Sequence, residues 1–141
     1  MSDAPDMNDF NASVIAEFRA NEGKVGGPFD GSPMVLLTTT GAKSGKQRTS
    51  PLVYFADGDR RFIFASKAGA PTNPDWFHNI VANPAVTVEI GAESYAATAS
   101  VVEGEERDRV YAAQAELMPG FAEYQANTTR TIPVVELVRN D

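Results

Sequence analysis

The residues best suited to chemistry lie in one glycine-hinged stretch, Thr39-Thr40-Gly41-Ala42-Lys43-Ser44-Gly45-Lys46-Gln47-Arg48-Thr49-Ser50-Pro51-Leu52. Such a turn can cradle an anion: Gly41 and Gly45 let the backbone fold tightly with N–H groups turned outward, while Lys43 and Arg48 add charge. A solvated hairpin turn uses the same residue types. The wider charge pattern favours the anion. The chain carries net charge −7, yet between residues 43 and 67 Lys43, Lys46, Arg48, Arg60, Arg61 and Lys67 face only Asp57 and Asp59. An acidic protein with one concentrated cationic patch suits a single anionic ligand better than a polyanion. A phosphate loop of the nucleotide triphosphatase type is excluded. The G-x-x-x-G-K spacing is one residue short, Gln47 stands where Ser or Thr is needed, and the following residues read as strand.

Three further segments could share that ligand. Ser66-Lys67-Ala68-Gly69 is a second basic turn of small residues. Asn73-Pro74-Asp75-Trp76-Phe77-His78-Asn79 holds the single tryptophan and the single histidine. Trp76 reads either as a core aromatic or as a flat wall beside a planar ring, and His78 as a structural hydrogen-bonding residue. Phe121 and Tyr124 lie one helical turn apart, where they either cap the fold or line a pocket mouth with the Tyr124 hydroxyl as donor. No cysteine and one histidine remove thiolate nucleophiles, iron–sulfur clusters and multi-histidine metal sites. Redox chemistry here would need an organic cofactor.

These residues need elements to hold them. Apolar residues Phe10, Val14 and Phe18, widened by Ile15, predict an amphipathic helix over Met7–Ala20, followed by a flexible connector to Pro28. Strands are predicted over Met34–Thr40, Thr49–Ala56 (with Pro51 at its start or on an edge) and Arg61–Ser66, the last two joined by Asp57-Gly58-Asp59. Asn73 as N-cap and Pro74 at the first helical position open a helix ending near Ala82. Val86–Ile90 and Tyr95–Val102 form a hairpin, Glu105–Leu117 a helix, Phe121–Gln125 a further turn, and Thr131–Val138 the last strand. The pattern is mainly β with peripheral helices (α+β): a small antiparallel barrel with two or three helices packed outside.

The 141 residues, 43% of them apolar, suit one core. Residues 1–27 read as an N-terminal helix and linker, and 28–141 as the barrel. No run of about 18 apolar residues suggests a membrane span. An acidic N-terminus without a signal core points to the cytoplasm. Asp6, Asp9 and Glu17 against Arg19 deny the first helix a basic membrane-binding face, so peripheral attachment to the inner membrane is the lesser expectation. With a pI near 4.7, nucleic acid is not an expected partner.

Taken together, Leu36 to Gly41, Lys43-Ser44-Gly45, Arg48 to Leu52, Ala65-Ser66-Lys67, Asn73-Pro74 with Trp76, Ala82-Asn83-Pro84, Tyr124-Gln125 and Thr129 to Val134 resemble the deazaflavin (coenzyme F-420)-dependent nitroreductase and quinone reductase family. The resemblance implies a split β-barrel of the FMN-binding-protein type. It implies an 8-hydroxy-5-deazaflavin coenzyme whose phosphate and oligoglutamate tail account for the charge reversal. It assigns the coenzyme to Ala42, Lys43, Ser44, Arg48, Thr49, Ser50, Pro51, Leu52, Val53, Phe64, Ala65, Ser66, Lys67, Asp75, Trp76, Phe77, His78 and Asn79. Met118, Phe121 and Tyr124 would line the substrate pocket, with Tyr124 or Ser66 as proton donor. The implied reaction is hydride transfer to an electron-poor acceptor such as a quinone, an activated enone or coumarin-type lactone, or a nitroaromatic. Ala42, Val53, Met118 and Phe121 depart from the family's usual basic or hydroxylated residues, which predicts weaker tail binding and weak nitro reduction. The alternatives are an FMN enzyme on the related barrel, as in pyridoxamine-phosphate oxidases, and a non-catalytic deazaflavin carrier. A monomer or homodimer is expected.

Overall fold

The computed structural model describes residues 7–24, 33–66 and 72–140. Its elements are α1 (Met7–Ala20), β1 (Met34–Thr40), β2 (Gln47–Asp57), β3 (Arg60–Phe64), α2 (Asp75–Ala82), β4 (Ala85–Ile90), β5 (Glu93–Val102), α3 (Gly104–Leu117), α4 (Gly120–Ala126) and β6 (Val134–Arg139). The strands close into a barrel in the order β1-β2-β3-β6-β5-β4, and every pairing is antiparallel.

That alternation of direction sorts the chain by barrel end. The ends of β1, β3 and β5 and the starts of β2, β4 and β6 lie together. This end therefore gathers the basic turn, Ala65-Ser66, α2, the start of α3 and residues 131–133. The hairpins at 57–60 and 90–93 occupy the opposite end.

The interior is filled by Val35, Leu37, Ile63, Val86, Val88, Ala97, Val135 and Leu137, one face of each strand. Trp76 and Ile80 of α2 join this cluster, so α2 closes the barrel end and is not one of the outer helices. The other face of β1 explains its unbroken apolar run: Met34 and Leu36 are covered by Val14 and Phe18 of α1. The side chain of Phe10 lies outside the described residues. A third cluster, Phe62, Phe64, Val102, Val110, Tyr111, Phe121, Ile132 and Val134, seats α3 and α4 on the outer face of β3 and β6. At the end of α1, Gly23 adopts φ +95° and its Cα passes so close to Gly91 that a Cβ would meet backbone at 2.8 Å.

Several boundaries differ from expectation, each for a local reason. Helix α2 begins one residue later: Pro74 is its N-cap, with no side-chain cap, because Asn73 accepts from Arg130 instead. The expected turn at 121–125 is a helix, α4. Strand β6 starts at Val134, since Pro133 has no N–H to give a ladder. Strand β2 starts at Gln47, which places Pro51 mid-strand opposite Leu36 of β1.

Candidate functional site

The proline is tolerated because β2 is locally an edge. Residues 47–53 pair with β1, but the β2–β3 ladder ends at Tyr54↔Ile63. Continued register would set Leu52 opposite Ala65 and Pro51 opposite Ser66. Pro51 cannot donate, and beyond Ile63 strand β3 keeps only its β6 neighbour: Phe64 pairs with Val134, and Ala65 N–H donates to Pro133 O at 3.0 Å. Among the described residues the barrel is thus split between Thr49–Val53 and Phe64–Ser66. Main-chain groups on that side of β2 have no strand partner.

The basic turn sits at the same end of the split. Its shape is self-contained: Gly41 N–H donates to Lys46 O (2.8 Å), Gly45 N–H to Gly41 O (3.1 Å) and Lys46 N–H to Ser44 Oγ (3.1 Å). Gly45 takes φ +70°, a conformation that favours glycine. The expectation of outward N–H groups needs correction: those of Gly41, Ala42, Gly45 and Lys46 are consumed internally, so side chains carry the attraction for an anion. Lys43, Lys46 and Arg48 are exposed and form no ion pair with any described residue.

The six-cation window is not one patch. Arg60 lies at the far barrel end, bonded to Glu136 (2.9 Å) and Glu106 (2.8 Å), and those contacts raise its pKa and lower that of Glu106. Arg61 donates to Gly58 O at 2.7 Å. Lys67 lies outside the described residues.

Helix α2 bridges the two sides of this end. Asn79 Nδ2 donates to Thr39 Oγ1 (3.2 Å), and Asn79 Oδ1 accepts from Ala42 N–H (3.0 Å), which ties α2 to the basic turn. Trp76 is 6% exposed within the interior cluster, as its core reading expects, and the neighbouring Phe77 is half-buried. Asp75 and His78 are exposed. Thr49 pairs its hydroxyl with that of Thr38 at 2.8 Å. Leu52 packs toward the interior, whereas Val53 faces the α1 layer, away from Leu52's side of the strand. Phe64 is buried against the rings of Tyr111 and Phe121.

The expected substrate residues divide similarly. Phe121 is 8% exposed and belongs to the outer core, and Met118 Sδ accepts from Gln114 Nε2 at 3.3 Å. Met118 and Tyr124 are both half-buried, Tyr124 with its ring on Phe121. Nearby, a cleft of about 360 Å³ opens between α2 and the start of α3, lined by Phe77, Val102, Glu103, Asp108, Thr131 and Pro133 among others.

Arg130 entered the sequence reading only within the Thr129 to Val134 stretch that carries the resemblance, with no role of its own. The structure gives it a central place. It donates to Ala65 O (3.1 Å), Ser66 O (2.9 Å) and Asn73 Oδ1 (2.7 Å). Burial lowers its pKa from the usual arginine range. Gln125 supports it from α4, with Nε2 donating to Arg130 O (2.8 Å) while Oε1 accepts from Arg107 (2.6 Å) and from Ile132 N–H (3.1 Å).

Comparison with known proteins points one way. The family described as F420H(2)-dependent quinone reductase matches residues 12–139. A curated relative, the F420H(2)-dependent quinone reductase Rv1261c of Mycobacterium tuberculosis, is 39% identical over 130 residues, 88% of this chain and 86% of that protein. A solved F420-H2 dependent reductase (FDR-A) is 44% identical, with TM-score 0.69 over 74% of this chain and 93% of its own. A solved domain-swapped dimer is 40% identical, with TM-score 0.71 over 89% of this chain and 92% of its own.

Proposed function

The chain belongs to the F420H(2)-dependent quinone reductase family, and from that membership we propose that it moves a hydride from the reduced 8-hydroxy-5-deazaflavin coenzyme to a quinone. The observation that carries this reading is the interrupted β2–β3 ladder beside three unpaired cations. The donor set suits the group. Lys43, Lys46 and Arg48 match a phosphate and a tail of carboxylates, and the open edge at Thr49–Leu52 with Ala65-Ser66 matches a planar ring that hydrogen-bonds along its rim. When bound, the coenzyme supplies a hydride from C5 of its ring. The protein's part is orientation, with reacting atoms held at about 3–3.5 Å. Solvent, Ser66 or Tyr124 would supply the proton that follows the hydride.

The acceptor fits the cleft between α2 and α3. Phe77, Val102 and Pro133 give it apolar walls, and Pro133 is bonded directly to Ala65 at the split. Its lining pairs Arg107 with Asp108 at 3.0 Å and adds Glu103, a charge balance that suits a neutral quinone better than a polyanionic coenzyme. Flat enones and coumarin-type lactones share that chemistry. Nitroaromatics lack a hydroxyl from positions 118 and 121, where Met118 is spent on Gln114 and Phe121 is buried. The test is oxidation of reduced coenzyme with menadione, a coumarin-type lactone and a nitroimidazole. Turnover of the first two and slow reaction of the third is expected. Coenzyme binding with no turnover of any acceptor makes the protein a carrier, and a yellow protein that retains FMN through purification makes it a flavin enzyme. The description of one neighbour as a domain-swapped dimer makes a homodimer the assembly to look for by light scattering.

A further inference from the structure

Resting on that coenzyme reading, we infer that Arg130 is the positioning residue of the ring site: its guanidinium sets the spacing between the end of β3 and the approach to α2. Three acceptors converge on it. Ala65 O and Ser66 O come from one wall of the split, and Asn73 Oδ1 comes from the residue preceding the N-cap of α2. The Arg130 main chain is fixed from behind, because Gln125 Nε2 donates to the Arg130 carbonyl while Gln125 Oε1 accepts from Arg107. A planar guanidinium presents donors in fixed directions, so it can hold three acceptors at once; an ammonium is a point charge with rotating donors. Burial of the group raises the stakes, since carbonyls left without it lose partners in a poorly hydrated place.

The three bonds have a geometric consequence. The Ser66 carbonyl, which Pro51 has no N–H to serve in a continued ladder, is held on its own side of the split by Arg130. Arg130 thus keeps the split open from one side, as Pro51 does from the other. It acts through Ala65 and Ser66 and touches no reacting atom.

The experiment is a fluorescence titration with oxidised deazaflavin coenzyme at several salt concentrations, on the wild-type protein, Arg130→Lys, Asn73→Ala and Lys43→Ala. Arg130→Lys keeps the charge and loses the fork, so affinity falls at least about tenfold while the salt slope stays that of wild type. Lys43→Ala does the reverse, with a reduced salt slope. Asn73→Ala, an uncharged change at a half-exposed residue, removes one of the three bonds and lowers affinity severalfold. A further variant, Arg130→Ala, loses binding as well, and added guanidinium ion restores it. In turnover, the Arg130→Lys KM for coenzyme rises while the KM for menadione stays within about twofold. Wild-type affinity in both Arg130→Lys and Asn73→Ala overturns the role, as does an equal loss for both substrates. Absence of binding by the wild type overturns the coenzyme reading itself, and this role with it.

Discussion

Asn79 shows what a residue type cannot reveal about its partners. The resemblance gave it to the coenzyme, and in the structure its amide bonds Thr39 and Ala42. It builds the site by holding the turn, a function that spacing alone cannot separate from ligand contact. Asn79→Ala strands the Ala42 N–H and a buried threonine hydroxyl, at a cost of about 1–2 kcal/mol in urea unfolding. Coenzyme affinity should drop with it, since Lys43 and Arg48 flank the freed segment. An unchanged urea midpoint would show that the latch contributes nothing. Lys43 and Arg48 were legible because glycine spacing and local charge are properties of sequence. Arg130 was not, because its importance lies in carbonyls 57 to 65 residues away.

Elements were more legible than their partners. Strand β1 falls where its β-branched run predicts, and α1 buries Val14 and Phe18 as its periodicity requires. What periodicity cannot say is where a buried stripe goes. The Trp76 and Ile80 face of α2 enters the barrel interior, so one short helix both seals the core and carries the site. Helix α4 was hidden behind Pro119 and Gly120, yet Tyr111 Oη donates to Phe121 O at 2.6 Å and locks it to α3. Tyr111→Phe should therefore cost about 1–2 kcal/mol, because the Phe121 carbonyl keeps its burial and loses its donor. Burial also pushes the Tyr111 hydroxyl's pKa up. The unfolded chain then ionises first as pH rises, so this contribution is complete below the ordinary tyrosine range and fades as pH climbs through the raised value. Thermal melts of the wild type and Tyr111→Phe should converge in that alkaline window. A constant gap across it would contradict the assignment.

At the scale of the molecule, chain direction accounts for the function better than any single motif. An antiparallel six-stranded ring sends every second connection to the same end, so segments scattered from residue 41 to 133 meet there. The same rule removes Arg60 and Arg61 to the opposite end, where they brace the fold through Glu106, Glu136 and Gly58. Of the five described cations in that window, Arg60 and Arg61 thus serve the fold, while Lys43, Lys46 and Arg48 stand exposed at the end that carries the split. Attraction between those exposed side chains and a polyanionic tail is screened, so coenzyme affinity should weaken steadily as salt rises beyond 0.1 M, where the screening length is about 10 Å. Affinity indifferent to salt would remove the tail from the argument.

The most direct test of the account is a titration of the purified protein with oxidised deazaflavin coenzyme and, separately, with FMN, each repeated on Lys43→Ala and Lys67→Ala. The account predicts saturable micromolar binding of the deazaflavin, weakened in both variants, and little affinity for FMN. Tighter binding of FMN, or deazaflavin binding unaffected by loss of either lysine, would contradict it.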